Sequence, residues 1–106
     1  MQDDRRRATR IDVNLRARWE GVLEQREATV TSLSRNGCFL LSGGKVEPGE
    51  LIRLEIILPD QACLYLWAEV VDEAQEIGFA ARFTSVEDED YLRLAAFILN
   101  ILSEPQ

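Results

Sequence analysis

Two short stretches of the chain carry residues whose types and spacing could bind an anion. The first, "RRRATR" at residues 5–10, holds four of the twelve basic residues of the chain. The second, "TSLSRNG" at residues 31–37, places two serines ahead of an Asn-Gly pair, between two strand-like segments. Arginine guanidinium groups bind phosphate through paired hydrogen bonds, so the first stretch suits a phosphorylated ligand.

Each stretch also has a simpler interpretation. An arginine-rich leader can be a solubilising, disordered tail. The sequence Ser-Arg-Asn-Gly is typical of a tight hairpin turn, in which Gly37 would adopt a positive φ angle. Taken separately, the residues leave these alternatives open. If the second stretch is part of a ligand site, the arginines of the first stretch are expected to belong to the same site.

The residues on which most enzymatic chemistry depends are missing from the sequence. The chain contains no histidine, which removes His-based triads, histidine zinc sites and the commonest general base. It has no phosphate-binding GxxxxGK[ST], no GxSxG nucleophile elbow and no CxxC pair. We therefore predict no catalytic residues, no metal and no cofactor. Cys38 and Cys63 lie inside apolar segments and are expected to be buried, reduced thiols.

Composition limits the class of protein further. The 106 residues are enough for one domain with its own core, and an apolar share of 46% is ordinary for a soluble protein. A net charge of −7 disfavours nucleic acid as a partner, because such binding depends on neutralised phosphates. No apolar run is long enough for a membrane span, and the N-terminus lacks the apolar segment of a secretory signal. We therefore expect a cytoplasmic protein.

The elements that must position the two stretches are mostly strands. Residues 11–20 alternate between apolar and polar side chains over the whole segment, which indicates a half-buried strand. Further strand signals follow at residues 28–33, 38–42, 51–58, 62–72 and 77–83. Five or six strands at short intervals favour an antiparallel barrel or curled sheet, which removes exposed edges by closing on itself.

The only helix signal lies at the C-terminus, at about residues 86–102. Ser85 followed by Asp88 fits a capping box, and acidic residues 87–90 suit a helix N-terminus. Two apolar stripes run along this segment: Leu92, Ala95, Ala96 and Leu99, and beside them Tyr91, Leu94, Ile98 and Ile101. One packed face needs only the first stripe. The helix could therefore pack both stripes against the barrel, or it could form a homodimer or partner interface.

Both stretches, in this order and with this architecture, resemble the PilZ domain, a bacterial receptor module for cyclic di-GMP. The family signature is RxxxR in an N-terminal arm, followed by [Asp/Asn]-x-Ser-x-x-Gly. The RxxxR spacing fits Arg6 and Arg10, and the second element corresponds to Ser32, Ser34 and Gly37. The resemblance implies a mainly β fold: a six-stranded antiparallel PilZ-like β-barrel with a C-terminal helix at residues 11–106, after a flexible arginine-rich arm at residues 1–10.

The resemblance also implies a signalling function. Arg6 and Arg10 would hold guanine faces and phosphates, and ligand binding would order the arm and change a surface that a downstream protein partner reads. Ser32 replaces the family's Asp or Asn at a guanine edge, with an expected loss on the order of 1–1.5 kcal/mol, about tenfold in affinity. Arg5, Arg7 and Arg35 would add secondary contacts or remain solvated. The alternative is a PilZ-like adaptor that binds a protein and not the nucleotide.

Overall fold

A computed structural model of the chain describes residues 9–74 and 77–103. These residues form six strands and one helix, in the order β1 (Ile11–Glu20), β2 (Gln25–Leu33), β3 (Gly37–Leu41), β4 (Leu51–Ile57), β5 (Cys63–Ala74), β6 (Gly78–Val86) and α1 (Asp88–Ser103). None of the helical segments in the described part of the chain is both long and apolar enough to cross a membrane.

The six strands close into a barrel in the order β1-β2-β3-β6-β5-β4. Every neighbouring pair is antiparallel, and the barrel closes where residues 17–20 of β1 pair with residues 53–56 of β4. The prediction of a six-stranded antiparallel barrel with a C-terminal helix is confirmed. Closure gives each strand two hydrogen-bonded neighbours, so the sheet has no long exposed edge.

The inward side chains of the strands form one apolar core. Trp19 is almost fully buried at the end of β1, where its ring packs edge-on against Phe79 with centroids 5.3 Å apart. Its indole Nε1 donates a hydrogen bond to Ser42 Oγ at 2.8 Å, which satisfies the one polar atom that this side chain brings into the core. Along β1 the predicted inward residues are buried apart from Val13, which is half-buried, so the alternation of residues 11–20 gives the buried face of the strand as predicted.

A β-bulge at Thr31 determines which residues near the end of β2 face inward. Against β3, Thr31 is an extra residue of β2, because Val30 pairs with Leu40 and Ser32 with Phe39. Against β1 the register also shifts at this level, with the extra residue in β1 between Asp12 and Leu15. An extra residue moves the following side chains to the other face of the sheet. Val30 and Leu33, three residues apart, are consequently both fully buried.

The helix starts later than predicted. Ser85 belongs to β6, where it pairs with Trp67, so the capping-box interpretation of Ser85 is wrong. The carbonyl of Glu87 accepts the first helical hydrogen bond, from the backbone N–H of Tyr91 at 2.8 Å. Strand pairing thus extends β6 to Val86, because the ladder with β5 supplies hydrogen-bond partners that a short local cap cannot replace.

The part of α1 that packs on the barrel belongs to the second predicted stripe, although Tyr91 of that stripe is exposed. Leu94 and Ile98 are buried, and α1 contacts β1 and β5. Leu92 and Leu99, from the first stripe, are 66% and 63% exposed. The expectation that the first stripe supplies the packed face is therefore wrong, since both stripes have helical spacing and only the barrel's position selects between them.

The two cysteines lie in different environments, and both are free thiols. Cys38 is buried, as predicted, while Cys63 is half-buried. The prediction of a buried core thiol is wrong for Cys63. In this part of β5 the even-numbered residues from Leu64 point into the core, so Cys63 lies on the outer face with Tyr65.

Candidate ligand-binding site

The second predicted stretch forms the turn between β2 and β3. The backbone N–H of Ser34 donates to the carbonyl of Gly37 at 2.9 Å. Ser34 Oγ accepts from the backbone N–H groups of Asn36 and Gly37, at 3.1 and 3.2 Å. Because Ser34 is only 1% exposed, its hydroxyl is an internal acceptor that holds the turn in shape.

Gly37 is required at this turn by the close approach of another strand. It pairs with Arg82 of β6, and a Cβ atom at position 37 would lie 2.3 Å from the carbonyl oxygen of Ala81. Among the described glycines, the positive φ angles belong to Gly44 and Gly49. The expectation of a positive φ at Gly37 is therefore wrong, and the absence of a side chain is what the position needs.

Arg10 and Ser32, 22 residues apart in sequence, meet on the outside of the barrel. Arg10 directly precedes β1, and its Nε donates to Ser32 Oγ at 2.9 Å. The β1–β2 ladder produces this contact, because Ile11 lies opposite Leu33 and Asp12 opposite Ser32. The second arginine of the RxxxR spacing therefore lies beside the first residue of the second motif element.

The positive charge of Arg10 also affects the pKa of Cys38, next to the turn. Burial raises the pKa of the Cys38 thiol to about 12, and the positive charge of Arg10 acts on it in the opposite direction. Cys38 follows Gly37 and pairs with Leu33 at the turn end of β2 and β3. The site thus combines the exposed guanidinium of Arg10, the partly exposed hydroxyl of Ser32 and a turn held by internal hydrogen bonds, which together suit an anionic ligand at the barrel surface.

The structure brings together Arg10, Ser32, Ser34 and Gly37. Arg35 lies in the same turn and is exposed. Arg5, Arg6 and Arg7 lie outside the described residues, so their place at the site stays a prediction. Sequence reasoning missed Asp12, whose position opposite Ser32 depends on the strand register. No local pattern in the sequence distinguishes Asp12 from the other outward residues of β1.

Two surface cavities among the described residues lie away from the candidate site. One of about 350 Å³ is bordered by the outer faces of β1, β4 and β5, including Arg53 and Trp67. Another of about 500 Å³ lies along β1, β2 and the chain after β3. Neither cavity is bordered by Arg10 or Ser32. Within residues 9–74 and 77–103, no group of three His, Cys, Asp or Glu side chains could hold a metal ion.

Comparison with protein families identifies the fold. A model of the PilZ domain matches residues 4–100. The chain belongs to the PilZ family. The match spans both motif stretches, the whole barrel and most of α1, and PilZ domains are nucleotide-binding receptor modules of the cyclic di-GMP receptor family. A search among curated proteins finds no match for the chain.

Solved structures share this PilZ architecture. The Bacillus subtilis inhibitor of motility (MotI/DgrA) superposes with a TM-score of 0.78 at 20% identity, over 95% of this chain and 53% of its own. Escherichia coli YcgR in complex with c-di-GMP gives 0.76 at 16% identity, over 92% and 46%. The PilZ domain of YcgR with c-di-GMP gives 0.73 at 14% identity, over 92% of each chain.

The matched structures differ in how much of their own length this chain covers. The chain spans about half the length of MotI/DgrA and of the longer YcgR structure. It corresponds to nearly the whole of the separate PilZ domain of YcgR. At these identities the likeness shows the fold alone.

Proposed function

We propose that this PilZ domain binds cyclic di-GMP where the start of β1 meets the β2–β3 turn. The observation that carries the proposal is the 2.9 Å hydrogen bond from Arg10 Nε to Ser32 Oγ. It joins the two parts of the family's ligand signature on the outside of the barrel. The ligand-binding residues are Arg6, Arg10, Ser32, Ser34 and Gly37, with Arg5, Arg7 and Arg35 as secondary contacts.

The motif residues act in two ways in this proposal. Arg10 is exposed and carries the charge, so it pairs with a phosphate or stacks on a guanine face. Ser32 Oγ offers a hydrogen bond at the ligand's edge. Ser34 and Gly37 act through the backbone, because the buried hydroxyl of Ser34 holds the turn and Gly37 lets β3 approach β6.

Signalling follows from ordering of the arm. The arm of this proposal is the predicted segment 1–10, most of which lies outside the described residues, and the barrel begins at Ile11. The nucleotide rests against the β2–β3 turn, and Arg6 and Arg10 close over it. Ordering the arm costs conformational entropy, which the contacts with the ligand must exceed. The output is a changed surface that a protein partner reads in the bacterial cytoplasm.

Calorimetric titration with cyclic di-GMP tests this proposal. Wild type is expected to saturate at micromolar ligand, and Arg6→Ala or Arg10→Ala is expected to bind at least about tenfold more weakly, because each loses charge-assisted hydrogen bonds. Arg16→Ala is the matched control: it removes the same charge from the outer face of β1, about 20 Å from Arg10. Equal affinity in Arg10→Ala and Arg16→Ala would contradict the proposed site.

A second candidate function is that of a protein-binding adaptor, which a flat titration trace would favour. The observation in its favour is the outer face of α1, defined by Tyr91, Leu92, Leu99 and Leu102, which are between 36% and 66% exposed. Apolar patches of this kind mark protein contacts. A homodimer through this helix would use the same face. Sedimentation velocity tests it, since Leu92→Glu is then expected to shift wild-type dimers to monomers.

A further inference from the structure

The proposed site lacks a carboxylate at the position where the family's second motif element begins. A guanine base presents two neighbouring N–H donors on its Watson–Crick edge, at N1 and at the exocyclic amino group. A carboxylate accepts both through its two oxygens, whereas the hydroxyl of Ser32 offers a single atom that Arg10 Nε already contacts at 2.9 Å. If the site selects guanine, another side chain must supply this pair of acceptors.

Asp12 lies directly opposite Ser32 in the β1–β2 ladder. Directly opposed residues of an antiparallel pair project to the same face, with Cβ atoms about 4.5–5.5 Å apart. That face is the outer one, because Asp12 is exposed while its neighbour Ile11 is buried. The carboxylate of Asp12 thus stands beside the hydroxyl that Arg10 contacts.

The other carboxylates of these two strands are too distant to take this role. On β1 the next acidic residue is Glu20, eight residues further and about 26 Å along the strand. On β2 the nearest is Glu27, five residues before Ser32 and about 16 Å away. The register places Asp12 next to Ser32 just before the bulge, where the ladder is still regular.

We propose that Asp12 supplies the carboxylate that accepts the N–H groups of the guanine base, and so sets the base specificity of the site. This inference rests on the proposed binding of cyclic di-GMP. Adenine has an acceptor at N1 in place of a donor. Its N1 lone pair would therefore face a carboxylate oxygen of Asp12, and the two acceptors would repel each other. Hypoxanthine keeps the N1–H but lacks the amino group, so it would satisfy only one of the two carboxylate oxygens.

Titrations with two nucleotides test the role of Asp12. Cyclic di-GMP and its inosine analogue are compared for wild type, Asp12→Asn, and Glu20→Gln as a control that removes the same charge from the same strand face. Asp12→Asn is expected to weaken binding of cyclic di-GMP about tenfold and to reduce the preference for guanine over hypoxanthine. Glu20→Gln is expected to match wild type. Adding Ser32→Asp to Asp12→Asn is expected to restore both affinity and preference.

The outcomes separate this inference from the proposed function. If wild type binds cyclic di-GMP and Asp12→Asn binds it with unchanged affinity and base preference, Asp12 has no such role while the receptor function stands. If wild type does not bind at all, the proposed function fails and the inference fails with it. Circular dichroism of each variant confirms that the exposed substitution leaves the barrel folded.

Discussion

At the scale of single residues, the second motif element divides into surface and interior positions. Ser32 is partly exposed and bonds to Arg10, whereas Ser34 is buried and bonds only within its own turn. Both are serines two positions apart in the same strand-to-turn segment. Their different roles arise because Ser32 belongs to β2, where it pairs with the outward-facing Asp12, whereas Ser34 follows the last residue of β2 and closes the turn.

Replacing Ser34 with Ala is expected to destabilise the domain. The backbone N–H groups of Asn36 and Gly37 would lose their acceptor in a buried turn, at an expected cost of about 1–3 kcal/mol in the free energy of unfolding. Ser32→Ala removes an exposed hydrogen bond, so its expected cost is below about 1 kcal/mol. Urea denaturation of both variants measures the difference. Equal losses would show that the turn does not depend on the Ser34 hydroxyl.

At the scale of elements, α1 is fixed to the barrel by its first turn as well as by its apolar stripe. Asp90 is 8% exposed, and its Oδ2 accepts from the backbone N–H of Tyr65 in β5 at 3.2 Å. Its Oδ1 accepts from Arg93 one turn later at 3.4 Å. The carboxylate of Asp90 thus joins the start of α1 to β5. This contact adds to the burial of Leu94 and Ile98.

Asp90→Ala is expected to lower the free energy of unfolding by about 1–3 kcal/mol, because the N–H of Tyr65 loses its partner. Asp88→Ala removes an exposed charge from the same helical turn and is expected to cost only the interaction with the helix dipole, about 0.3–1 kcal/mol. Thermal unfolding followed by circular dichroism compares the two. An Asp90 variant no less stable than the Asp88 variant would contradict the role of this contact.

At the scale of the whole molecule, closure of the barrel isolates Cys38 from water. The thiol lies in the apolar core, and burial raises its pKa from 9.0 to about 12. In the unfolded chain the same thiol ionises near its ordinary pKa. Folding therefore holds the proton on Cys38 over a pH range in which the unfolded chain releases it.

This difference predicts how stability depends on pH. Below pH 9 the thiol is neutral in both the folded and the unfolded state, so its contribution to the free energy of unfolding is fully present. Between pH 9 and 12 only the unfolded state ionises, so the free energy of unfolding falls as the pH rises. Cys38→Ala is expected to show a shallower fall than wild type in urea denaturation between pH 8 and 11. Parallel curves would show that the buried thiol does not hold its proton.

The strands and the candidate site could largely be predicted from the sequence. The alternation of residues 11–20 reports burial of one face directly, because neighbouring side chains of a strand point to opposite sides. The helical spacing near the C-terminus and the two motif stretches are equally local. Arg10 and Ser32 could be paired before their contact was seen, since the family's signature contains both positions.

Other features depended on partners that no local pattern contains. Both stripes of α1 have helical spacing, and the position of the barrel decided that Leu94 and Ile98 pack while Leu92 and Leu99 stay exposed. Gly37 is needed because β6 passes close to it, and Asp12 stands beside Ser32 because of strand register.

The sequence by itself thus determined the periodic elements, their order and the two motif stretches on which the proposed site depends. Only the tertiary structure decided which faces are covered and which side chains become neighbours. The physical reason is that periodicity depends on adjacent residues, whereas register, bulges and close approach depend on pairing between segments far apart in the chain.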